Sequence, residues 1–129
     1  MKPGGPHILV IDDDPEVKAE LSAMIESEGW SFYGADTVEE AVAAVNDVAP
    51  EVIVLEPRTD GGRAAGLLVD VRQAGTWIPV VLHTSDASLS EAYALEHGAS
   101  GLLLKPGGVA QLRERIGELL KPREMDRPL

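Results

Sequence analysis

Short apolar runs alternate along the chain with longer segments in which apolar and polar residues are mixed. Residues 7–11, 31–35, 52–56, 78–84 and 101–105 are the runs that predict β-strands. All but the second of them are apolar almost throughout. Such runs are typical of strands that are buried on both faces of a parallel sheet.

The mixed segments have the spacing of amphipathic helices. We expect the first helix to begin at Asp14 as N-cap with Pro15 in its first turn, and the second to begin at a capping-box pattern over residues 37–40. The remaining helices are predicted over residues 63–74, over residues 88–97 with Ala92 and Leu95 as its apolar anchors, and along residues 109–120.

Strand and helix alternate five times, which predicts a single doubly wound α/β fold, a parallel sheet with helices on both faces. The length of 129 residues is that of one domain. We therefore expect residues 1–121 to form this domain. Residues 122–129 are polar and carry two prolines, so they are expected to form a C-terminal tail.

Charge and composition narrow the classes of function. A formal net charge of −11 repels phosphates, so we expect no autonomous binding of nucleic acid. No window approaches the ~20 apolar residues of a membrane span, and the N-terminus lacks the features of a signal peptide. The chain has no cysteine, which excludes disulfides and thiolate metal sites. A cytoplasmic protein without membrane contact is the expectation.

Polar side chains stand at the ends of four predicted strands: Asp12 and Asp13 after the first, Glu56 in the third, Thr84 in the fourth and Lys105 in the fifth. Ligands bind at the carboxyl ends of parallel strands, so these residues are expected to share a site. At ~4 Å and an effective dielectric constant of ~20, two carboxylates repel by about 4 kcal/mol. A positive group is therefore expected among them, either Mg²⁺ or a basic side chain, Lys105 or Arg58.

The chain resembles the receiver domain of two-component response regulators along nearly its whole length. The stretches that carry the resemblance are ILVIDDDP, GWSFYGADTVEEA, PEVIVLEP, PVVLHTS and GASGLLLKP. The resemblance implies a CheY-like fold with strand order 2-1-3-4-5 and a function in phosphorelay signal transduction. It also implies a non-enzymatic domain without catalytic residues, whose partner is a histidine kinase or another signalling protein.

The resemblance further implies roles for individual residues. Asp12 and Asp13 match the acidic pair that binds Mg²⁺, and the backbone carbonyl of Arg58 matches another ligand of the ion. Glu56 matches the phosphoaccepting aspartate, which is a further metal ligand. Thr84 and Lys105 match the groups that contact the phosphoryl group. Pro106 matches a proline that commonly follows a cis peptide bond.

Several residues depart from the family pattern. Glu56 extends its carboxylate by one methylene, about 1.5 Å, and a displacement near 1 Å can cost on the order of 100-fold in rate. Leu102 stands where the family has an aromatic switch residue, and Asp60 where it has a proline. Pro57 removes a backbone N–H. We expect Glu56 to contact Lys105 and imitate the phosphorylated state, which weighs against Mg²⁺ occupancy.

These departures favour a pseudo-receiver that acts through protein–protein interaction without phosphorylation. The first alternative is a Mg²⁺-dependent switch that a histidine kinase still phosphorylates at Glu56. The second is a flavodoxin-like FMN-binding enzyme, which is disfavoured because the acidic DDDP sequence after the first strand would repel the flavin phosphate. Homodimerisation through the fourth and fifth helices stays open.

Three further side chains carry expectations. Trp30 and Trp77 lie near the starts of strands and are expected to serve in packing. His83 lies inside the fourth strand, where a buried, hydrogen-bonded histidine is expected rather than a metal ligand.

Overall fold

The computed structural model describes residues 5–73 and 77–121. Its strands are β1 (His7–Ile11), β2 (Ser31–Ala35), β3 (Val52–Leu55), β4 (Val80–Thr84) and β5 (Gly101–Leu104). Its helices are α1 (Pro15–Ser27), α2 (Val38–Val48), α3 (Leu67–Gln73), α4 (Glu91–Glu96) and α5 (Val109–Leu120), and a 3₁₀ segment (Asp60–Gly66) precedes α3. The predicted tail, residues 122–129, lies outside the described residues.

The strands form one parallel sheet in the order β2-β1-β3-β4-β5. This confirms the predicted α/β class and strand order. The order reverses between β1 and β3, and ligands of such sheets bind at this reversal, beyond the carboxyl ends of the strands. The register pairs Ile11 with Leu55, so Asp12 and Glu56, which follow these residues, leave the sheet side by side.

Two apolar layers cover the sheet, one on each face. Successive strand residues point to opposite faces, so Leu9 and Ile11 join one cluster and Ile8 and Val10 join the other. The first cluster is completed by residues of α2, α3 and α4, and the second by residues of α1 and α5. Burial on both faces explains why β3 is wholly apolar and why β1 and β4 are mostly so.

The predicted starts of the first two helices are confirmed. The Asp14 carboxylate accepts hydrogen bonds from the backbone N–H groups of Glu16 and Val17, and Thr37 accepts one from Glu40. The reciprocal half of the capping box differs from the prediction. The Glu40 carboxylate accepts from the N–H of Asp36, the residue before the cap, at 2.7 Å.

The third helix is shorter than predicted. Gly61 and Gly62 have φ values of 65° and 92°, in the left-handed region that an α-helix does not tolerate. The chain therefore follows a 3₁₀ path over Asp60–Gly66, and the α-helix begins at Leu67. Leu67 and Leu68 are buried as predicted.

The fourth helix is also shorter than predicted, and its predicted anchors are wrong. Ser90 caps the helix through the N–H of Tyr93, so the helix begins at Glu91. Ala94 then points to the core and is fully buried, whereas Leu95 is 55% exposed. Ala92 is exposed as well. The buried residue Ala94 lies between the two predicted anchors, so the helix turns a different face inward from the one that the sequence pattern predicts.

The two tryptophans differ. Trp30 packs against the cluster beneath α1 and α5, as predicted. The prediction for Trp77 is wrong, because its side chain is 78% exposed. The guanidinium carbon of Arg72 lies 5.7 Å from the centre of its ring, a cation–π contact at the surface.

None of the helices in residues 5–73 and 77–121 has the length and apolar character to cross a membrane.

Candidate acidic site at the carboxyl edge of the sheet

Three of the predicted site residues meet at the carboxyl ends of β1, β3 and β5. The ammonium of Lys105 lies 2.7 Å from Asp12 Oδ2 and 3.3 Å from Glu56 Oε1. Asp12 is 2% exposed and Glu56 is 6% exposed, so both carboxylates are withdrawn from water. A basic side chain thus supplies the positive charge that the clustered carboxylates require.

Each part of Glu56 has a partner. Its backbone N–H donates to the carbonyl of Ile11 at 2.9 Å, which continues the pairing of β3 with β1. Its Oε2 accepts from the backbone N–H of Arg58 at 3.1 Å, while its Oε1 faces Lys105. The side chain turns back along its own loop, and the extra methylene is accommodated inside the site.

The charge of Lys105 is stabilised in this position. Burial opposes the charged form, but the hydrogen bond and the negative charge of Asp12, with the charge of Glu56, outweigh it. The pKa of Lys105 therefore lies above its ordinary value. Lys105 is an ammonium at neutral pH, and it balances one of the two carboxylates that it contacts.

The other two aspartates after β1 serve local structure. Asp13 is exposed, and its Oδ2 accepts from the backbone N–H of Asp60 at 3.0 Å. The backbone N–H of Asp14 donates to Asp12 Oδ1 at 3.0 Å, while the Asp14 side chain caps α1. The structure therefore holds Asp13 at the rim, bonded to the loop that follows β3.

Arg58 lies at the mouth of the site and not among the carboxylates. Its side chain is exposed, and its Nη1 lies 3.4 Å from Ser85 Oγ. Its backbone carbonyl, the predicted metal ligand, accepts from the N–H of Gly62 at 3.0 Å. Of the two basic candidates, Lys105 is the one that the structure places between the acids.

Thr84 ends β4 beside the acidic residues. It is fully buried, and its hydroxyl oxygen accepts from the backbone N–H of Asp86 at 3.1 Å. Its carbonyl accepts from the N–H of Lys105 at 2.8 Å, which ties β4 to β5 at this edge. In the described part of the chain, no hydrogen bond joins Thr84 to Glu56.

The acidic residues have the chemistry that suits a hard cation, and in this conformation they are bonded to other groups of the protein. Carboxylate and carbonyl oxygens are the ligands that Mg²⁺ prefers. Within residues 5–73 and 77–121, however, no group of three acidic or histidine side chains is placed to hold a metal ion. Lys105 pairs with both Asp12 and Glu56, and Asp13 is bonded to the loop backbone.

Comparison with known proteins shows the family to which the chain belongs. A family model described as the response regulator receiver domain matches residues 8–117. The chain belongs to the response regulator receiver domain family. Among its relatives is response regulator MprA of Mycolicibacterium vanbaalenii, 33% identical over 119 residues that cover 89% of this chain and 50% of MprA. The chain spans between 26% and 51% of the length of the curated relatives it matches.

Solved receiver domains have the same fold. A two-component response regulator from Clostridium difficile is 28% identical, with a TM-score of 0.80 over 95% of this chain and 99% of that one. Response regulator protein TrrA from Thermotoga maritima, solved in complex with Mg(2+)-BeF, has a TM-score of 0.78. It covers 89% of this chain and 99% of that chain at 22% identity, so its likeness supports the fold alone.

The site of this receiver domain also includes residues that sequence reasoning missed. These are Glu16, Glu20 and Gly107, which line the cleft beside the acids together with Ser85 and Pro106, two residues that the sequence already places at strand ends of this rim. Of the three, Gly107 had a usable signal in the sequence, because it follows Lys105 and Pro106 at the end of the fifth strand. The Lys105–Pro106 peptide bond is cis, as the resemblance implied.

His83 lines the same cleft from β4. It is 3% exposed, and its Nε2 lies 3.5 Å from the carbonyl oxygen of Gly107. Among residues 5–73 and 77–121, its buried Nδ1 has no hydrogen-bond partner, so the expectation of a fully hydrogen-bonded histidine is only half right. Burial lowers the pKa of His83, and the charge of Lys105 lowers it further. The ring is therefore neutral at pH 7.

Proposed function

We propose that this receiver domain is a pseudo-receiver, which acts through protein–protein interaction without accepting a phosphoryl group at Glu56. The contact between Glu56 and Lys105 carries the proposal. The Glu56 carboxylate lies in the cleft, 3.3 Å from the ammonium that the family pattern assigns to phosphate neutralisation. A negative charge is thus already present beside Lys105 in the unmodified protein.

The length of the Glu56 side chain also opposes the chemistry of phosphorylation. Phosphoryl transfer requires a carboxylate oxygen in line with the leaving group and charge neutralisation around it. Glu56 Oε1 faces Lys105 and Oε2 accepts from the N–H of Arg58. The extra methylene also shifts both oxygens from where those of an aspartate would lie, and a displacement near 1 Å can cost on the order of 100-fold in rate.

The residue at the aromatic switch position supports the same proposal. Leu102 is partly buried and packs against the apolar cluster on the α2, α3 and α4 face of the sheet. It lies beside Leu82 in the register of β4 and β5. A leucine has no ring that could turn inward toward Thr84, so the domain lacks that route from the cleft to its surface.

The proposal also covers whether the domain needs Mg²⁺. Asp12, Asp13, Glu56 and the carbonyl of Arg58 are the groups that the family pattern would assign to the ion, and the ion would neutralise charge during phosphoryl transfer. Each of these groups already has a partner within the protein. We infer that Mg²⁺ is not needed for the state in which the domain binds its partner.

Calorimetric titration with Mg²⁺ tests the proposal against a switch that still works by phosphate. We expect no saturable heat with the native protein at millimolar Mg²⁺. The matched control is Glu56→Asp, whose shorter side chain moves away from Lys105 and should give measurable binding. Saturable binding to the native protein, at least as tight as to the variant, would favour the Mg²⁺-dependent phosphoacceptor instead.

The partner is proposed from family membership and charge. A histidine kinase or another signalling protein is the expected class, and a net charge of −11 favours a partner surface that is basic. The same charge disfavours nucleic acid as a partner of this domain by itself.

Homodimerisation through α4 and α5 stays a prediction. Tyr93, Leu95 and Leu104 are the large apolar side chains exposed on these elements and the intervening β5.

A further inference from the structure

An ionic network joins the loop after Glu56 to the start of α2. Arg63 Nη1 lies 2.8 Å from Asp60 Oδ2, and Arg63 Nη2 lies 2.9 Å from Glu39 Oε1. Both contacts are ion pairs, and one arginine bridges two segments that are far apart in sequence. The hydrogen bond with Arg63 lowers the pKa of Glu39, which agrees with a well-formed pair.

Asp60 also makes two hydrogen bonds that do not involve Arg63. Its Oδ2 accepts from the backbone N–H of Val38, one of the N–H groups left without a partner at the start of α2. Its own backbone N–H donates to Asp13 Oδ2. Asp60 thus connects three parts of the rim: the end of β1, the start of α2 and the loop after β3.

The backbone at Asp60 shows that this arrangement is enforced. Asp60 has φ of 58°, in the left-handed region, which aspartate adopts more readily than most residues other than glycine but which still costs free energy. Strain of this kind persists only where the surrounding contacts hold it, and it is found at functional positions more often than elsewhere. Here the surrounding contacts are those to Val38, Asp13 and Arg63.

We propose that Asp60, Arg63 and Glu39 form an ionic latch that fixes the loop after Glu56 against α2 and keeps the Asp13 carboxylate bonded to that loop. Asp60 is the positioning residue, and Arg63 keeps its carboxylate beside Val38. The latch gives the rim of the cleft one geometry without phosphate or metal. Arg63 and Glu39 are exposed, so salt or a competing charged group of a partner can open the latch.

Amide hydrogen exchange measures the latch directly and involves neither phosphate nor Mg²⁺, so its outcome is independent of the proposed function. The amides of Val38 and Asp60 report on it, because both donate to carboxylates of the network. The amide of Glu40 is the internal reference, since it lies in the same first turn of α2 but donates to Thr37. In native protein, we expect added NaCl to accelerate the first two amides relative to the third.

Two variants separate the latch from a passive surface pair. Arg63→Gln removes both ion pairs and should accelerate exchange at Val38 and Asp60 by roughly two- to tenfold, with no change at Glu40. Asp60→Gly keeps the left-handed backbone but removes the carboxylate, and should accelerate exchange at Val38 at least as much. The matched control is Arg113→Gln, which breaks an exposed ion pair with Glu28 on other elements.

Three results would overturn the latch. The first is unchanged exchange at Val38 in Asp60→Gly or Arg63→Gln. The second is equal acceleration at Val38, Asp60 and Glu40, which would indicate fraying of the helix end or a loss of global stability. Acceleration of the same two amides in Arg113→Gln would also contradict it, because that variant leaves the latch intact.

Discussion

Glu56 has a longer side chain than the aspartate that the family pattern has at this position, and yet it lies inside the cleft. Its backbone continues the β1–β3 pairing, and its carboxylate turns toward Lys105 and the N–H of Arg58. At the scale of single residues, the site is two carboxylates around one ammonium. The energetic roles of these three groups are therefore unequal.

Removing the ammonium should cost far more than removing one carboxylate. Lys105→Met keeps the length of the side chain but leaves Asp12 and Glu56 buried without a cation, and we expect a loss of about 3 kcal/mol in the free energy of unfolding. Glu56→Gln leaves the shorter pair between Lys105 and Asp12 intact, so the change should stay below about 1 kcal/mol. Urea titrations at pH 7 measure both. A larger loss in Glu56→Gln than in Lys105→Met would contradict the assignment of Lys105 as the central cation.

The contribution of Lys105 to the free energy of unfolding should also depend on pH in a defined range. Its pKa is raised in the folded protein, so the stabilisation is complete below the unfolded pKa of about 10.4 and is lost as pH rises through the folded value. The difference in unfolding free energy between native protein and Lys105→Met should be constant from pH 7 to about pH 9 and shrink above about pH 10.4. A difference that already disappears at about pH 8 would show that the ammonium is not held by the two carboxylates.

His83 should make the stability of the folded protein fall as the pH is lowered, whereas Lys105 makes it fall as the pH is raised. Its pKa is lowered by burial, so the stability tied to its neutral form is present above the unfolded pKa of about 6.5 and is lost as pH falls below it. Native protein should therefore lose stability between about pH 6.5 and pH 5 relative to His83→Leu, which has no group to protonate there. Urea titrations at several pH values measure this, and parallel curves for the two proteins would show that the His83 ring is not protected from protonation.

At the scale of elements, helix caps and glycines determine where the helices begin, which the apolar periodicity does not predict. Strands β1 and β2 begin and end where the apolar runs do, because a proline, an aspartate and a glycine-containing turn lie beside them. The third helix was predicted to begin at Arg63. The left-handed Gly61 and Gly62 instead produce a 3₁₀ segment, and seven residues remain for α3. Apolar spacing does not show which of several glycines adopts a positive φ.

The fourth helix offers a test of its corrected anchor. Ala94 is fully buried against the sheet, so Ala94→Leu should overpack the core and cost roughly 1–3 kcal/mol of unfolding free energy. Leu95→Ala removes a side chain that is 55% exposed and should change stability by less than about 0.5 kcal/mol. Chemical denaturation of the two variants measures the contrast. The reverse order would restore Leu95 as the anchor.

At the scale of the whole molecule, the class and topology of the fold were predictable, and the contacts of the site were predictable only in part. Alternating apolar runs predict a parallel sheet, and the carboxyl ends of its strands must share one edge. That reasoning brings Asp12, Glu56 and Lys105 together, as the structure does. It left open whether Mg²⁺, Lys105 or Arg58 would supply the positive charge, because that depends on side-chain rotamers.

The latch could not have been predicted from the sequence. Asp60 meets Asp13 across 47 positions and Val38 across 22, and Arg63 meets Glu39 across 24. No local pattern links residues so far apart, and the left-handed backbone at Asp60 has no sequence signature of its own. The only sign was that the family pattern has a proline where this chain has Asp60.

The central claim is that the Glu56 carboxylate takes the place of a phosphoryl group in this receiver domain. The most direct test is intact-mass spectrometry after incubation with acetyl phosphate and Mg²⁺, with Glu56→Asp as the matched comparison. We expect the variant to gain one hydroxylamine-labile phosphoryl group and the native protein to gain none. A phosphoryl group on Glu56 of the native protein would contradict the account and show that the domain is a working phosphorylation switch.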